Sequence, residues 1–387
     1  MRRIVLALSV LAVLVPPTLS AEATTTQQVP VCKRAPHGRV GCFAIRLDRF
    51  SSGRIRHASA PVGYTPSDLQ AAYALPSDGT GDGMTVAVVD AYDDPSAESD
   101  LATYRRQFGL PACTTSNRCF RKVDQSGGHT YPEVDEGWAQ EISLDLDMVS
   151  AVCPRCHILL VEARSSAQSN LGLAVNTAVR LGADAVSNSY GGPDASDSSY
   201  GRYYHHSGVA ITASAGDSGY GVSYPASSKW VTAVGGTTLR RSTRAGRGWS
   251  EGAWADTGSG CSTFNTTTWQ PATTTDCDGR AVADIAAVAD PATGVAVYDS
   301  LTYEDTAGWL TFGGTSAGAP IIAAAFALAG NTDDVEDGSY VWTHHTGGVN
   351  DVRSGANGTC ETDRWCTAHY GWDGPTGWGT PKGVAAL

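Results

Sequence analysis

Basic residues are scarce in this chain. Lysine occurs only at Lys33, Lys122, Lys229 and Lys382, and Lys+Arg total 27 against 39 Asp+Glu, a formal net charge of −12. No basic run or stripe offsets this, so the footprint that a phosphate backbone requires is missing and a nucleic-acid partner is excluded. Long apolar runs are lacking too. Ile4–Val15 and Ala317–Ala329 both fall short of the ~20 residues that span a bilayer, which argues against a membrane protein. No internal repeat is visible. Among 387 residues, 42% are hydrophobic and 17% charged, enough for a sizeable core and too apolar for wholesale disorder. The 44 glycines favour tight turns and close backbone approaches over a plain helical bundle.

The first residues set the expected compartment. Met1-Arg2-Arg3 is a basic start, Ile4–Val15 is an apolar run, and Ala21-Glu22-Ala23 is a small-x-small cleavage site. Together they predict a signal peptide over 1–23 and a secreted, extracellular protein. The cysteines agree. They fall as neighbours, Cys32 and Cys42, Cys113 and Cys119, Cys153 and Cys156, Cys261 and Cys277, Cys360 and Cys366. An even count in an exported chain implies disulfides, here five local bridges that staple individual loops. Cys153-Pro-Arg-Cys156 could instead be half a zinc site or a redox pair, but matching ligands elsewhere are missing.

Residues 24–62 are polar and irregular, the pattern of a surface tail or short pro-segment pinned by Cys32 and Cys42. From Thr65-Pro66-Ser67-Asp68, a capping box, the chain alternates. Met84–Val89, His157–Val161, Ala185–Ser189, Val209–Ala213, Val231–Val234 and Trp309–Phe312 predict strands. Segments after Pro95, Glu136–Val152, Ser166–Leu181 and Ala317–Leu328 predict helices. Such alternation means an α/β fold with a mostly parallel central sheet and helices on both faces. It predicts one domain over 63–387, with 240–300 as a long surface excursion bearing a hairpin or two.

The sharpest chemical signal is Gly313-Gly314-Thr315-Ser316-Ala317-Gly318-Ala319-Pro320. A strand runs through glycines into an apolar helix. Ser316 therefore sits at a helix N-terminus, where free N–H groups favour developing negative charge, or else merely caps it. The segment fits two nucleophile patterns. Gly314-x-Ser316-x-Gly318 matches the α/β-hydrolase elbow, for which Asp351 and His369 follow in the right order. Only 71 residues follow Ser316, few for the rest of that fold, and no His-Gly-Gly precedes it. Gly-Thr-Ser-x-x-x-Pro matches subtilisin-like peptidases, but none of the nine histidines lies in a His-Gly-Thr context. Asp90, after Val88-Val89, looks like the subtilisin aspartate; without that histidine it is expected at a strand end, capping or hydrogen-bonded. A different base is needed. Glu141 and Asp145, four apart on a helix, share one face, and two acids held close keep one proton to higher pH. The bland alternative is a solvated acidic helix face, since Glu136 and Asp147 are close by.

In combination the chain resembles the sedolisins, serine-carboxyl peptidases with a subtilisin-like fold, from about Tyr64 to Pro381. Four blocks carry the likeness in order: Glu141-x-x-Leu144-Asp145, Ser214-Ala215-Gly216-Asp217-Ser218-Gly219, Gly314-Thr315-Ser316, and Asp351-Val352 with Gly371-Trp372-Asp373 and Thr376-Gly377-Trp378-Gly379-Thr380-Pro381. The resemblance implies that Ser316 is the nucleophile, Glu141 the base, Asp145 its partner and Asp217 the oxyanion donor. The donor role needs a protonated carboxyl and hence acid. It implies that Ser189-Tyr190-Gly191 edges a strand that pairs with substrate. It implies one structural Ca2+ held by the carboxylates of Asp351 and Asp373 and the backbone oxygens of Val352, His369 and Gly371. The expectation is a secreted, monomeric, calcium-stabilised endopeptidase acting on protein or peptide substrates in acid. An α/β-hydrolase esterase and a non-catalytic binding protein on a peptidase fold are the rivals. The intact set of Glu141, Asp145, Asp217 and Ser316 argues against the second.

Overall fold

The Val-rich apolar runs fall where buried parallel strands need them. In the computed structural model, which describes residues 24–32, 38–51, 54–55 and 58–387, the central sheet runs Trp249–Ala253, Thr232–Arg241, Ala210–Ser214, Ala185–Asn188, Thr85–Ala91, His157–Ala163, Phe120–Asp124. Only the Trp249–Ala253 edge is antiparallel. Val86 to Ala91 are all buried, as a strand covered on both faces requires. The helix Glu136–Val152 packs against the helix Thr315–Ala329, and both lie on this sheet. The segment 1–23, expected to be a signal peptide, lies outside the described residues.

Two stretches depart from expectation. The segment beyond residue 24 is not an irregular tail. Thr24–Pro30 pairs antiparallel with Ile45–Ser51, whose start pairs with Thr306–Gly313, and Val295–Tyr303 completes that second sheet. Its period was hidden because the inward positions of Ile45–Ser51 are charged. Arg46 and Asp48 are buried as an ion pair with Nε–Oδ1 at 2.6 Å, and Arg46 Nη1 reaches Gln140 Oε1 at 2.9 Å.

The second departure is 240–300, which is surface only in part. Trp249–Ala253 and the pair Gly260–Cys261 with Ala281–Val282 supply the hairpin-like edges. Ile285–Val288, however, is a buried inner strand parallel to Thr232–Arg241. Its alanines carry little apolar signal. A buried ion pair, Arg280–Asp284, pins it in place. Asp284 also accepts from Ala233 N at 2.7 Å and from Trp342 Nε1 at 2.7 Å.

All five disulfides form between the neighbouring cysteines, including Cys153–Cys156, which removes the zinc alternative. No described helix is long and apolar enough to cross a membrane. The Arg280–Asp284 pair gives a stability test. Asp284→Ala strands a buried guanidinium and two donors, and should cost about 3–5 kcal/mol in urea unfolding. A loss below about 1 kcal/mol would show that the strand does not depend on the pair.

Candidate active site

The catalytic candidates converge from three elements. Asp135 starts the helix Glu136–Val152 by accepting from Trp138 N at 3.0 Å, and every residue from Gly137 on is buried. Glu141 and Asp145 therefore face the core one turn apart, and the solvated-face alternative fails. Ser316 lies in the first turn of Thr315–Ala329. Pro320, four residues on, has no N–H to give the Ser316 carbonyl. Ser189 Oγ approaches that carbonyl instead, at 3.4 Å.

Ser189 joins these elements. Its Oγ donates to Asp145 at 2.9 and 2.7 Å, and its carbonyl accepts from Ser316 Oγ at 3.0 Å. Asp217 Oδ1 accepts from Thr315 N at 2.8 Å and Thr315 Oγ1 at 2.7 Å, while Oδ2 is buried without a donor. That free oxygen faces the space in front of Gly314, where a Cβ would fall 2.6 Å from it. Glycine is required at 314 for a second reason, its φ of +90°.

Among the described residues, no cation pairs with these acids. Burial pushes Glu141 well above the carboxylate range and Asp90 adds to it, with the nearby Ser316 hydroxyl working the other way. Asp145 is raised by burial, then by Asp90 and Glu141. Asp217 is pushed up to about 8 by burial, although the Thr315 bonds oppose this. Asp90 was expected to cap or hydrogen-bond at its strand end. Instead it is fully buried, neither carboxyl oxygen has a partner, and burial lifts it to about 8. It is the third acid of one cluster with Glu141 and Asp145.

What fills the cleft is not foreshadowed by any motif. Gly41 and Cys42 pair antiparallel with Gly191 and Tyr190, the expected substrate edge. Phe43 N donates to Ser189 O at 3.2 Å and to Ser316 Oγ at 3.1 Å. Ala44 N donates to Glu141 Oε2 at 3.0 Å. Both Cys32 and Cys42 sulfurs lie within 4.8 Å of a Glu141 carboxylate oxygen, but as a disulfide they offer no metal ligand.

The expected calcium residues lie apart from this cleft. Asp373 is fully buried and accepts from His369 N at 2.9 Å and from Thr376 N and Oγ1, both at 2.9 Å. Asp351 Oδ2 takes Arg353 Nε at 2.6 Å, and its Oδ1 is buried without a donor. Burial, with repulsion from Asp351 added, lifts Asp373 to about 7. Val352 is buried beside them, and Gly371 turns the loop at φ +77°. An orphaned oxygen beside a second carboxylate is a hard-oxygen donor set that suits Ca2+. The rival esterase triad is not assembled. His369 Nε2 bonds Asp363 at 2.7 Å, and neither it nor Asp351 touches Ser316.

The sequence model of the Subtilase family matches residues 132–364, which hold Glu141, Asp145, Asp217 and Ser316. Kumamolisin of Bacillus sp. (strain MN-32) is 32% identical over 388 residues, covering 88% of this chain and 67% of its own. Sedolisin of Pseudomonas sp. (strain 101) is 26% identical, covering 87% of this chain and 62% of its own. The chain belongs to the sedolisin family. The fold agrees. Pseudomonas sedolisin, a serine-carboxyl proteinase solved with two molecules of pseudo-iodotyrostatin, superposes with a TM-score of 0.70 at 25% identity, over 84% of this chain and 96% of that one. Sphericase, at 17% identity and a TM-score of 0.54, shares the subtilisin-like fold alone, over 84% of this chain and 99% of that one. This sedolisin-family chain is thus a serine-type peptidase by kinship.

Its buried acids set a stability profile. Asp90, Asp217 and Asp299 are each raised to about 8 by burial, so the folded state holds protons that the unfolded chain releases near pH 4. A folded pKa raised above the unfolded one gives stability that is complete below pH 4 and lost as pH rises toward 8. The melting temperature at fixed calcium should therefore fall steadily from pH 4 to 8. A flat or rising curve would show that these acids ionise freely in the fold.

Proposed function

We propose that this chain is a secreted serine-carboxyl endopeptidase that hydrolyses proteins or peptides in acid. One observation carries the reading: a peptide unit lies among the candidate groups, with Phe43 N on Ser316 Oγ and Ala44 N on Glu141 Oε2. Secretion rests on the basic, apolar and small-residue order of 1–23.

The roles follow from the geometry. Ser316 Oγ attacks the peptide carbonyl while Glu141 takes its proton. Glu141 stands within 3.0 Å of the amide nitrogen that leaves, so it can return the proton there. Asp145, held by Ser189, orients Glu141 and shares its proton. Asp217, protonated below about 8, turns Oδ2 into a donor for the oxyanion. The Asp90–Glu141–Asp145 cluster works as a base only after it loses a proton, which sets the acid limb of the rate. Deprotonation of Asp217 sets the alkaline limb. The chain in the cleft continues as a strand on both sides of Phe43–Ala44, Gly41–Cys42 before it and Ile45–Ser51 after it, which suits cutting within a chain.

Calcium, when bound, would tie the Asp351 and Asp373 loops together, with Val352, His369 and Gly371 carbonyls available to it. Its role is structural.

Hydrolysis of a denatured protein from pH 3 to 8 tests the reading. Activity should peak in acid and fall by about 10⁴-fold or more in Ser316→Ala. Asp217→Ala should cost about 10²–10³-fold, while Asp217→Asn, which keeps a donor that cannot ionise, should retain more activity and lose the alkaline limb. Unchanged hydrolysis by Ser316→Ala would refute the assignment.

Calcium is tested separately. Chelation should lower the melting temperature, equivalent to about 2.7 kcal/mol if calcium stands at 100 times its Kd. Asp351→Asn should remove that response, and an unchanged response would exclude the site.

A further inference from the structure

The two carboxyl oxygens of Asp217 have different surroundings, and one residue makes the difference. Oδ1 accepts from Thr315 N at 2.8 Å and from Thr315 Oγ1 at 2.7 Å, while Oδ2 is buried without a donor. Thr315 is fully buried at the start of the helix Thr315–Ala329. Its hydroxyl has a second partner, since Gly216 N donates to Oγ1 at 3.1 Å. Ser214 Oγ donates to the Thr315 carbonyl at 2.9 Å and fixes the peptide on that side.

The direction of each bond is forced. A backbone N–H only donates, so Gly216 N uses a lone pair of the Thr315 hydroxyl, and the single hydroxyl hydrogen goes to Asp217 Oδ1. With Thr315 N as well, Oδ1 has both lone pairs in use and no room for a proton. When Asp217 is neutral, its proton therefore sits on Oδ2. That oxygen faces the space in front of Gly314, where a Cβ would fall 2.6 Å from it and would overlap the Phe43 carbonyl oxygen. A peptide carbonyl thus lies on the same side as the proton.

We propose that Thr315 is a positioning residue that selects which oxygen of Asp217 carries the proton, so that the neutral acid presents an O–H to the substrate carbonyl oxygen. This role rests on the peptidase reading above. The Thr315 backbone N–H is present with any side chain and holds one lone pair of Oδ1; the hydroxyl holds the other. Without the hydroxyl, a fraction of the neutral acid carries its proton on Oδ1 and turns lone pairs toward the developing oxyanion, which repels it.

The same hydroxyl acts on ionisation in the opposite sense. Both Thr315 bonds stabilise the carboxylate and pull against the burial that lifts Asp217 to about 8. The other charged groups that act on it are Asp256, on the loop after Trp254, and Glu141, on the helix Glu136–Val152. Both are acids, and both disfavour its ionisation. Loss of the hydroxyl leaves them in place and removes one bond to the carboxylate, so Asp217 keeps its proton to higher pH. The enzyme becomes slower at its plateau yet works further toward alkali. A general loosening of the site slows the enzyme without moving the alkaline limb upward.

The experiment measures kcat and KM on a peptide substrate against pH, using the full chain and its Thr315 variants. Thr315→Val, close to isosteric, should lower plateau kcat about tenfold with KM within about twofold. Its alkaline limb should move up by about half a pH unit or more. Thr315→Ser should return both to near the wild-type values. Thr315→Cys keeps a weak donor beside Gly216 N, so it should show both changes to a lesser degree, and it serves where Thr315→Val does not fold. Asp217→Asn cannot ionise, so adding Thr315→Val to it should slow kcat further while moving no limb. An unmoved limb in Thr315→Val, a change in KM alone, or a Thr315→Ser as slow as Thr315→Val at an unchanged melting temperature would overturn the role. Wild-type hydrolysis in those cases leaves the peptidase reading standing. A wild type that hydrolyses no peptide at any pH would overturn that reading and the role of Thr315 with it.

Discussion

The proposed chemistry of this molecule depends on burying carboxyl groups that no cation among the described residues reaches. Asp90, Glu141 and Asp145 meet inside the core, and the one donated hydrogen bond that Asp145 receives comes from a neutral hydroxyl, Ser189. An ionised carboxylate in such a place costs far more than holding a proton. The cluster therefore stays partly protonated well above the usual range, and a single lost proton makes a base next to Ser316. Asp217 follows the same logic with the opposite use on the proposed mechanism, where it would work only while neutral. A histidine base would be charged and idle in acid; on the proposed mechanism, a carboxyl cluster that loses its first proton there would not be.

Other buried acids in the same fold are treated differently. Asp284 has Arg280, Asp48 has Arg46, and Glu162 has Lys122 at 2.9 Å. These pairs hold strand ends and the N-terminal segment together. In a chain with so few cations, their placement separates acids that must keep structure from acids that must move protons. Asp299 and Asp94, raised to about 8 and about 7 mainly by burial, belong with the unpaired group and tie the fold's stability to acid.

Much of this could be read from residues alone, for a physical reason. The spacing of four between Glu141 and Asp145 and the glycine turn before Ser316 are local geometry, and helix and turn rules translate them directly. The neighbour-paired cysteines are equally local. Asp90 could not be placed, because its partners lie on a helix some fifty residues on, and nothing near it says they are acids. Residues 24–51 were misjudged because Arg46 and Asp48 point inward, so the usual alternation is absent. Ile285–Val288 was missed because alanine buries well but signals weakly. In each case the missing information was the identity of the neighbour across space.

The cleft shows how strand addition shapes both recognition and access. Pairing to Tyr190–Pro193 uses main-chain groups that every polypeptide has, so it supplies affinity with little selectivity. Selectivity falls to the side chain facing Gly191 and Gly216, where the absence of Cβ atoms makes room for a ring. Because the occupant seen here belongs to the same chain, an outside peptide competes against a local concentration on the order of millimolar, the range for short tethers. Access to Ser316 is then governed less by the catalytic residues than by the seven-residue pairing of Thr24–Pro30 with Ile45–Ser51, which holds the occupant in register. A hairpin outside the candidate catalytic set thereby lies between Ser316 and any outside peptide.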